Sequence, residues 1–169
     1  DDAAQFDLKY NFTQRINEET QLFRNCAEVI ATTPDQLDMI VKDYGAPADQ
    51  VTMIPPGYDD HRFFSISSAT RQAIRARLGF EGKAVLAIGR LARNKGYDLL
   101  VDAFSLVPPR IPDAYLHLAV GGAQLNPDEQ TILDELKAQV ARLGLTVRVK
   151  LSGFVADAEL ADYYRAADV

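Results

Sequence analysis

The chain has 169 residues, 47% of them hydrophobic, which is enough for a substantial core and about one domain. Its net charge is −6, but residues 61–110 carry nine basic and three acidic groups, whereas the segments on either side are acidic. Such a protein lacks the broad positive face that a nucleic-acid duplex requires, so we expect no nucleic-acid partner and favour a small anion bound at one place.

The first third of the chain alternates helices with short strands. Helices are predicted where apolar residues recur at helical spacing, and before the second of them Thr33 is a candidate N-cap with Pro34 in the first turn. The predicted elements are a helix over 13–27 capped by Thr13, a strand over 28–33, a helix over 34–45 and a strand over 50–59 that two prolines interrupt.

The remaining two thirds continue the alternation with longer strands. The run KAVLAIGRL is apolar on both faces, as a parallel strand covered by helices on both sides must be. Elements that alternate at these lengths require right-handed crossovers, so the fold class is α/β, with a parallel sheet that has helices on both faces. The two earlier strands are expected to lie outside this sheet. The predicted elements are helices over 68–79, 96–107, 126–144 and 157–168, and strands over 83–91, 114–122 and 147–154.

Loops that follow three successive strands should meet at one edge of this sheet. Ligands of parallel α/β sheets sit outside the carboxyl ends of the strands. The turn GRLARNKG (89–96), the pair Gly121-Gly122 and the stretch SGFV (152–155) each follow a predicted strand. We therefore expect the ligand site where these three loops converge.

The turn at 89–96 concentrates positive charge at that edge. Arg90 directly follows an apolar run, Gly89 leaves the backbone open to approach, and Lys95 precedes a helix whose free N–H groups attract anions. A guanidinium that grips two phosphate oxygens, with an ammonium beside it, suits a diphosphate. The alternative interpretation is that these charges, with Arg93, are ordinary solvated loop residues.

Several other kinds of site are disfavoured. The turn lacks both the GxGxxG pattern of dinucleotide dehydrogenases and the GxxxxGK[ST] phosphate loop. The single cysteine, Cys26, excludes an internal disulfide, and no cluster of acidic or histidine residues indicates a metal, so we expect no cofactor and no metal. His61 and His117 receive no catalytic role, and His117 is interpreted as a satisfied core or edge histidine.

Location and completeness follow from the ends of the chain and its hydropathy. No apolar run has membrane-spanning length, and the chain starts with Asp1-Asp2 instead of a basic leader, so we expect a cytoplasmic protein with no membrane partner. The chain starts without methionine and stops within the helical pattern YYRAADV. We therefore expect a piece of a longer protein.

Three stretches of the chain strongly resemble one enzyme superfamily. VTMIPPGYDDHRF, AIGRLARNKGYDLLVDAF and SGFVADAELADYYRAADV resemble the retaining glycosyltransferases with two Rossmann-like domains, the B-type architecture. Within it the chain is most similar to the sucrose-phosphate synthase group, which includes the bacterial mannosylfructose-phosphate synthases. The resemblance implies that residues 1–56 are the C-terminal tail of the acceptor domain plus linker and residues 57–169 the first part of the nucleotide-sugar donor domain.

The resemblance also implies an activity. Such enzymes transfer a hexose from a nucleotide-sugar to a sugar phosphate with retention of anomeric configuration, without a metal at this site. The chain favours mannose from GDP-mannose and fructose 6-phosphate as acceptor, with sucrose-phosphate synthesis from UDP-glucose as the alternative. A B-type nucleotide-sugar epimerase and a non-catalytic sugar-nucleotide binding module stay open. The paired glutamates and the glycine-rich loop of the family fall outside the chain, so this piece alone is expected to be inactive.

The family's site residues map onto matching positions of this chain. Arg90 and Lys95 would hold the diphosphate and stabilise the charge that accumulates on it as the sugar leaves. The resemblance assigns donor binding to Gly89, Arg90, Lys95, Gly121, Gly122, Phe154 and Val155, and binding of the acceptor phosphate to Lys9 and Arg15. For Arg15 the alternative is a surface ion pair with a glutamate of its own helix.

Overall fold

Within residues 10–169 there are two separate parallel sheets, one of two strands and one of three. The computed structural model describes residues 10–169, and the chain divides into two units, of which the first ends at Asp59 and the second is Asp60–Val169. Within residues 10–169 no helix is both long enough and apolar enough to cross a membrane.

The first unit contains the two-stranded sheet. Val29 pairs with Val51 and Ala31 with Met53, so the prediction that the two early strands lie outside the larger sheet is confirmed. Its small core includes Ile40 and Ala46. The elements are helix α1 (Phe12–Asn25), strand β1 (Val29–Ala31), helix α2 (Pro34–Lys42), a 3-10 turn (Ala48–Gln50) and strand β2 (Val51–Met53).

The helix starts in this unit show one confirmed and one wrong prediction. The Thr33 hydroxyl accepts a hydrogen bond of 3.1 Å from the backbone N–H of Gln36, as expected of an N-cap. Thr13, however, lies inside α1, because the helix begins one residue earlier, after Asn11 in the left-handed conformation. Asparagine tolerates that conformation better than most residues, which explains the shifted start.

The second unit contains the three-stranded sheet. Its strands run parallel in the order β3-β4-β5, which confirms the predicted α/β class and the adjacency of the three strands. The elements are helix α3 (Ser68–Leu78), strand β3 (Lys83–Gly89), a 3-10 turn (Arg93–Lys95), helix α4 (Tyr97–Ser105), strand β4 (Ala114–Val120), helix α5 (Pro127–Arg142), strand β5 (Val149–Leu151) and helix α6 (Asp157–Ala166).

Helices cover both faces of this sheet. Along β3, Val85 and Ala87 pack into a core that includes Val101 of α4 and Leu136 of α5. The alternate residues of β3 face a second core between α3 and α6, which includes Phe80. This alternation is what a parallel strand with two covered faces requires.

Strand β3 has backbone partners on both edges. On one edge it pairs with β4. On the other, the N–H of Val169 lies 3.2 Å from the carbonyl oxygen of Ala84, and the N–H of Leu86 donates to the carbonyl of Val169 at 2.8 Å, as in a parallel pair. The order of the chain along the sheet therefore reverses at β3, and such a reversal is where ligands of open α/β sheets bind.

Charged groups fasten α3 to the end of α6. Arg71 donates to the carbonyl oxygens of Arg165 and Ala167, which lie at the C-terminal end of α6. The Asp168 carboxylate lies 2.7 Å from Arg71 and accepts a hydrogen bond of 2.8 Å from the backbone N–H of Ala84. Although burial alone would raise it, these bonds lower the pKa of Asp168 to about 2. The pairing of Val169 with β3 is therefore held by side chains as well as by backbone.

His117 is a buried core residue, but it is not satisfied as we expected. Its ring stacks on Phe80 with centroids 3.8 Å apart, and only 1% of its surface is exposed. Its Nε2 has no hydrogen-bond partner among the described residues. Burial, reinforced by the charges of Lys150 and Arg75, lowers the pKa of His117 to about 4, so the ring is neutral at pH 7.

Candidate functional site

An open cavity of about 290 Å³ lies at the carboxyl ends of β3 and β4. It contains five of the seven residues that the sequence assigned to donor binding, so the structure brings these five together; Lys95 and Gly122 are not among its lining residues. The lining residues are Ile88, Gly89, Arg90, Ala119, Gly121, Phe154, Val155, Asp157 and Leu160.

Backbone hydrogen bonds hold the edge of the sheet at the cavity. The N–H of Gly121 donates to the carbonyl oxygen of Gly89 at 2.9 Å, which extends the β3–β4 pairing by one residue. The N–H of Ser152 donates to the carbonyl of Leu118 at 2.9 Å, which does the same for β4 and β5. The three loops therefore start from fixed points, and the convergence expected from the topology is present.

Two cations of the turn are available to a ligand. Arg90 and Lys95 are both exposed, and neither side chain has a hydrogen bond or ion pair to any residue within 10–169. Arg90 lies in the cavity, whereas Lys95 ends the 3-10 turn one residue before Gly96, whose left-handed φ of 65° starts α4. The first N–H groups of that helix point in the same direction as its N-terminus and add positive potential beside Lys95.

Arg93, the third cation of the turn, is already engaged. Its two terminal nitrogens bind the two carboxylate oxygens of Glu135 on α5 at 3.0 and 3.1 Å. The hydrogen bond to Glu135 also raises the pKa of Arg93. A bidentate pair of this kind fixes the guanidinium plane. Arg93 therefore fastens the turn to α5 and differs from its two neighbours in having a protein partner.

The glycines at the cavity leave room for specific side chains. A Cβ on Gly89 would lie 2.6 Å from the hydroxyl oxygen of Tyr97, so part of the open approach that we expected at Gly89 is used by this tyrosine. Gly121 has a φ of 108°, and a Cβ there would lie 2.9 Å from Cδ2 of Leu125 and 3.2 Å from Cδ1 of Leu91. Both positions require glycine for packing reasons, and Gly121 also for its backbone conformation.

Phe154 and Val155 form one wall of the cavity. Phe154 is 55% exposed, so it is not an ordinary core residue. Val155 is half-buried beside it. Gly153, just before them, has a φ of 68° and open space around the position of a Cβ. This left-handed residue turns the loop after β5, so that an exposed aromatic ring stands at the edge of the cavity.

The sequence did not single out the four other residues that line the cavity, one of which is Ile88 of β3. Ala119 and Leu160 add apolar surface, and Asp157, the first residue of α6, adds a carboxylate. Asp157 follows the loop after β5 directly, and that position is the only signal in the sequence by which it could have been found. The cavity therefore has a cationic side at Arg90 and an apolar side with one acidic group.

The residues assigned to the acceptor phosphate belong to the first unit. Nε of Arg15 donates to Glu19 at 2.7 Å, so the surface ion pair that we considered as an alternative is present. The Tyr44 hydroxyl donates to the other oxygen of Glu19 at 2.9 Å, and the two bonds, that of Arg15 foremost, lower the pKa of Glu19. Lys9 lies outside the described residues.

Comparison with known proteins places the chain in a family. Residues 70–169 match the family described as Glycosyl transferases group 1. The chain belongs to the group 1 glycosyltransferases. It is 58% identical, over 99% of its length, to mannosylfructose-phosphate synthase of Agrobacterium fabrum, and it spans 37% of that relative. The resemblance to the sucrose-phosphate synthase group is thereby confirmed for the part of the protein that the chain represents.

Solved structures of this glycosyltransferase type share the fold. Sucrose-phosphate synthase of Thermosynechococcus elongatus matches with a TM-score of 0.74 and 27% identity, over 92% of this chain and 37% of that one. HepE of Anabaena, solved in complex with UDP-glucose, matches with a TM-score of 0.75 and 28% identity, over 92% of this chain and 40% of that one. The chain thus spans about two fifths of each of these three relatives.

No metal-binding cluster is present in the described part of the group 1 glycosyltransferase chain. Between residues 10 and 169, no three histidine, cysteine, aspartate or glutamate side chains are grouped so that they could hold an ion. The candidate site consists of free cations, glycines and an apolar wall.

Proposed function

We propose that the full-length protein transfers mannose from GDP-mannose to fructose 6-phosphate, with retention of anomeric configuration. The 58% identity to a mannosylfructose-phosphate synthase over 99% of the chain is the observation that carries this proposal. Identity to the sucrose-phosphate synthase structure is only 27%. The chain therefore has more in common with the mannosyl-transferring relative along its whole length.

Arg90 and Lys95 would act on the diphosphate of the donor. Transfer breaks the bond between the anomeric carbon and a diphosphate oxygen, which leaves with the bonding electrons. The acceptor hydroxyl oxygen bonds to that carbon and gives up its proton, which passes to solvent. Negative charge on the leaving oxygen therefore grows. Because both cations are free of protein partners within residues 10–169, they can meet this charge directly, and the added stabilisation would accelerate the reaction.

The remaining site residues would position the donor and the acceptor. Gly89 and Gly121 have no side chain that would fill the cavity, so the donor could approach the backbone there. Phe154 and Val155 would supply an apolar wall that suits the flat face of a nucleobase. Gly122 would keep the loop after β4 short of side chains. In the first unit Arg15 binds Glu19 through Nε only, so its terminal nitrogens could bind the acceptor phosphate.

Sucrose-phosphate synthesis from UDP-glucose is the second candidate. It is supported by the match to HepE, which was solved with UDP-glucose, and by the match to a sucrose-phosphate synthase. The cationic turn would serve UDP and GDP equally, since it meets only the diphosphate. The two candidates therefore differ at the base and at the sugar, not at Arg90 and Lys95.

A product assay on the full-length protein tests both candidates. Labelled GDP-mannose or UDP-glucose is supplied with fructose 6-phosphate, and the products are identified by chromatography and by the NMR coupling of the anomeric proton. We expect a mannosyl-fructose phosphate from GDP-mannose with the anomeric configuration of the donor. A glucosyl product from UDP-glucose alone would favour the second candidate. Isomerised donor without acceptor would indicate an epimerase, and binding without any product would indicate a binding module.

A further inference from the structure

Two side chains from distant parts of the first unit share the carboxylate of Glu19. Nε of Arg15, one turn earlier on α1, donates to Oε1 at 2.7 Å, and the hydroxyl of Tyr44 donates to Oε2 at 2.9 Å. Both bonds favour the ionised carboxylate, that of Arg15 foremost, and they lower the pKa of Glu19. Glu19 is therefore charged at neutral pH, with one oxygen for each partner.

The hydroxyl of Tyr44 reaches Glu19 from a fixed position. The half-buried ring meets Phe23 edge to face, with centroids 5.1 Å apart. The backbone carbonyl of Tyr44 accepts a hydrogen bond of 3.3 Å from Nε of Arg24. Gly45 follows with a left-handed φ of 68°, and a Cβ there would lie 2.8 Å from a terminal nitrogen of Arg24. Ring packing and the turn after it therefore hold Tyr44 in place.

The pairing of Glu19 determines how much of the Arg15 guanidinium stays free. Arg15 donates to Glu19 through Nε alone, and its two terminal nitrogens have no hydrogen bond within residues 10–169. The pair of Arg93 with Glu135 shows the other arrangement, in which two terminal nitrogens bind both carboxylate oxygens. In the same part of the chain, the side chain of Glu135 has no other donor, whereas that of Glu19 has Tyr44. A carboxylate without a competing donor can thus take up two nitrogens of one guanidinium.

We propose that Tyr44 is a positioning residue for the sugar-phosphate acceptor, because it holds one oxygen of Glu19 and so keeps the terminal nitrogens of Arg15 free for the phosphate. This inference rests on the proposed function, since it assumes that Arg15 binds the acceptor phosphate. The Arg15 side chain is 65% exposed, and it lines an open cavity of about 540 Å³ beside α1. A guanidinium binds a phosphate through parallel N–H groups, and Nε is already used. Without the Tyr44 hydroxyl, the second oxygen of Glu19 can turn to a terminal nitrogen and compete with the phosphate.

Acceptor kinetics of the full-length protein test this assignment. Tyr44→Phe keeps the ring against Phe23 and removes only the hydroxyl. We expect the KM for fructose 6-phosphate to rise about tenfold, the low end for a lost hydrogen bond to a charged group. The kcat at saturating acceptor and the Kd of GDP-mannose should change little, because the lost contact serves acceptor binding alone.

A second substitution separates this role from a merely structural one. Glutamine has one acceptor oxygen in place of two, so it cannot hold two nitrogens of a guanidinium. In the double variant Tyr44→Phe/Glu19→Gln, the terminal nitrogens of Arg15 should again be free. The KM for fructose 6-phosphate should therefore return most of the way to the wild-type value. A structural defect caused by Tyr44→Phe would not be repaired by a change at Glu19.

The control is Tyr164→Phe, which removes a tyrosine hydroxyl on α6. Tyr164 is 53% exposed and its hydroxyl has no hydrogen bond within residues 10–169, so this variant should keep the wild-type KM. A wild-type KM in Tyr44→Phe, or a double variant no better than Tyr44→Phe, would overturn the assignment and leave the proposed function in place. If wild type itself transfers no sugar to fructose 6-phosphate from either donor, the proposed function is wrong and this inference with it.

Discussion

Replacement of Arg90 or Lys95 by alanine should lower turnover more than it weakens donor binding. The ground-state diphosphate is already charged, but bond breaking adds negative charge to the leaving oxygen. Fixed cations therefore stabilise the transition state more than the ground state. A unit charge about 4 Å from a cation near a protein surface interacts by about 4 kcal/mol at an effective dielectric constant of about 20. If about half to all of that charge develops, each cation contributes ~2–4 kcal/mol to the barrier, or ~30- to 1000-fold in rate.

The structure says where this loss should be seen. Neither side chain has a protein partner within residues 10–169, so its removal breaks no ion pair and should leave the melting temperature unchanged. The assay is steady-state kinetics of the full-length protein with GDP-mannose and fructose 6-phosphate, together with donor binding by calorimetry and thermal melts. We expect a large fall in kcat, a smaller rise in the Kd of the donor, and no change in Tm.

Arg93→Ala is the matched control in the same turn. Arg93 is exposed and paired with Glu135, so its removal should lower kcat by less than about fivefold, the range for an exposed ion pair. If Arg93→Ala were the crippling change while Arg90→Ala and Lys95→Ala behaved like wild type, the diphosphate interpretation of the turn would be wrong. A parallel fall in Tm and in kcat for Arg90→Ala would likewise contradict the reasoning, because it would indicate a structural role.

Three further predictions concern stability. Gly121→Ala should lower the free energy of unfolding by about 1–3 kcal/mol in urea titrations, because a φ of 108° strains any other residue and the added Cβ would contact Leu125. The control is Gly57→Ala, which has open space around its Cβ position and no such φ, and which should leave the free energy of unfolding unchanged. Wild type should lose up to about 3 kcal/mol of stability as the pH falls from 6.5 to 4, because the lowered pKa of His117 means that the unfolded state takes up the proton first. His117→Phe should abolish this pH dependence. An unchanged pH slope of stability in the variant would contradict the prediction. Asp168→Asn should lower the free energy of unfolding at pH 7 by about 2 kcal/mol. In urea titrations the difference between wild type and variant should disappear between pH 4 and 2, where the wild-type carboxylate takes up its proton.

The fold could be predicted because its signals are local. The run KAVLAIG is apolar on both faces, and Thr33 and Pro34 mark a helix start within a few residues. Alternation of such elements leaves few topologies, since parallel strands need crossovers of fixed hand. The cavity follows from the same argument, because Gly89 ends β3, Gly121 directly follows β4 and Phe154 lies in the loop after β5 of the same sheet. These residues were found without knowledge of any contact.

The parts that could not be predicted depend on pairs that are distant in sequence. Arg93 binds Glu135, which is 42 residues away on another helix, and sequence spacing contains no sign of that contact. Tyr97 was expected only as a helix residue, yet its hydroxyl takes up the space beside Gly89. Phe80 stacks on the ring of His117, whose Nε2 has no partner within residues 10–169, and a single sequence cannot show which residue will cover a strand. Tertiary packing sets each of these contacts.

The ion pair of Arg93 bears on the choice of ligand. Three cations in one turn would be an unselective anion site, attractive to any phosphate or acidic chain. Glu135 neutralises one of them and fixes the turn, which leaves two free cations for a ligand. A nucleoside diphosphate sugar carries two negative charges, one on each phosphate, and gains more only as its sugar leaves. In the proposed function, two free cations would balance the donor as it binds, and they would stabilise further the charge that appears during transfer. This match of number would let a turn with three basic residues bind a diphosphate without holding it too tightly to react.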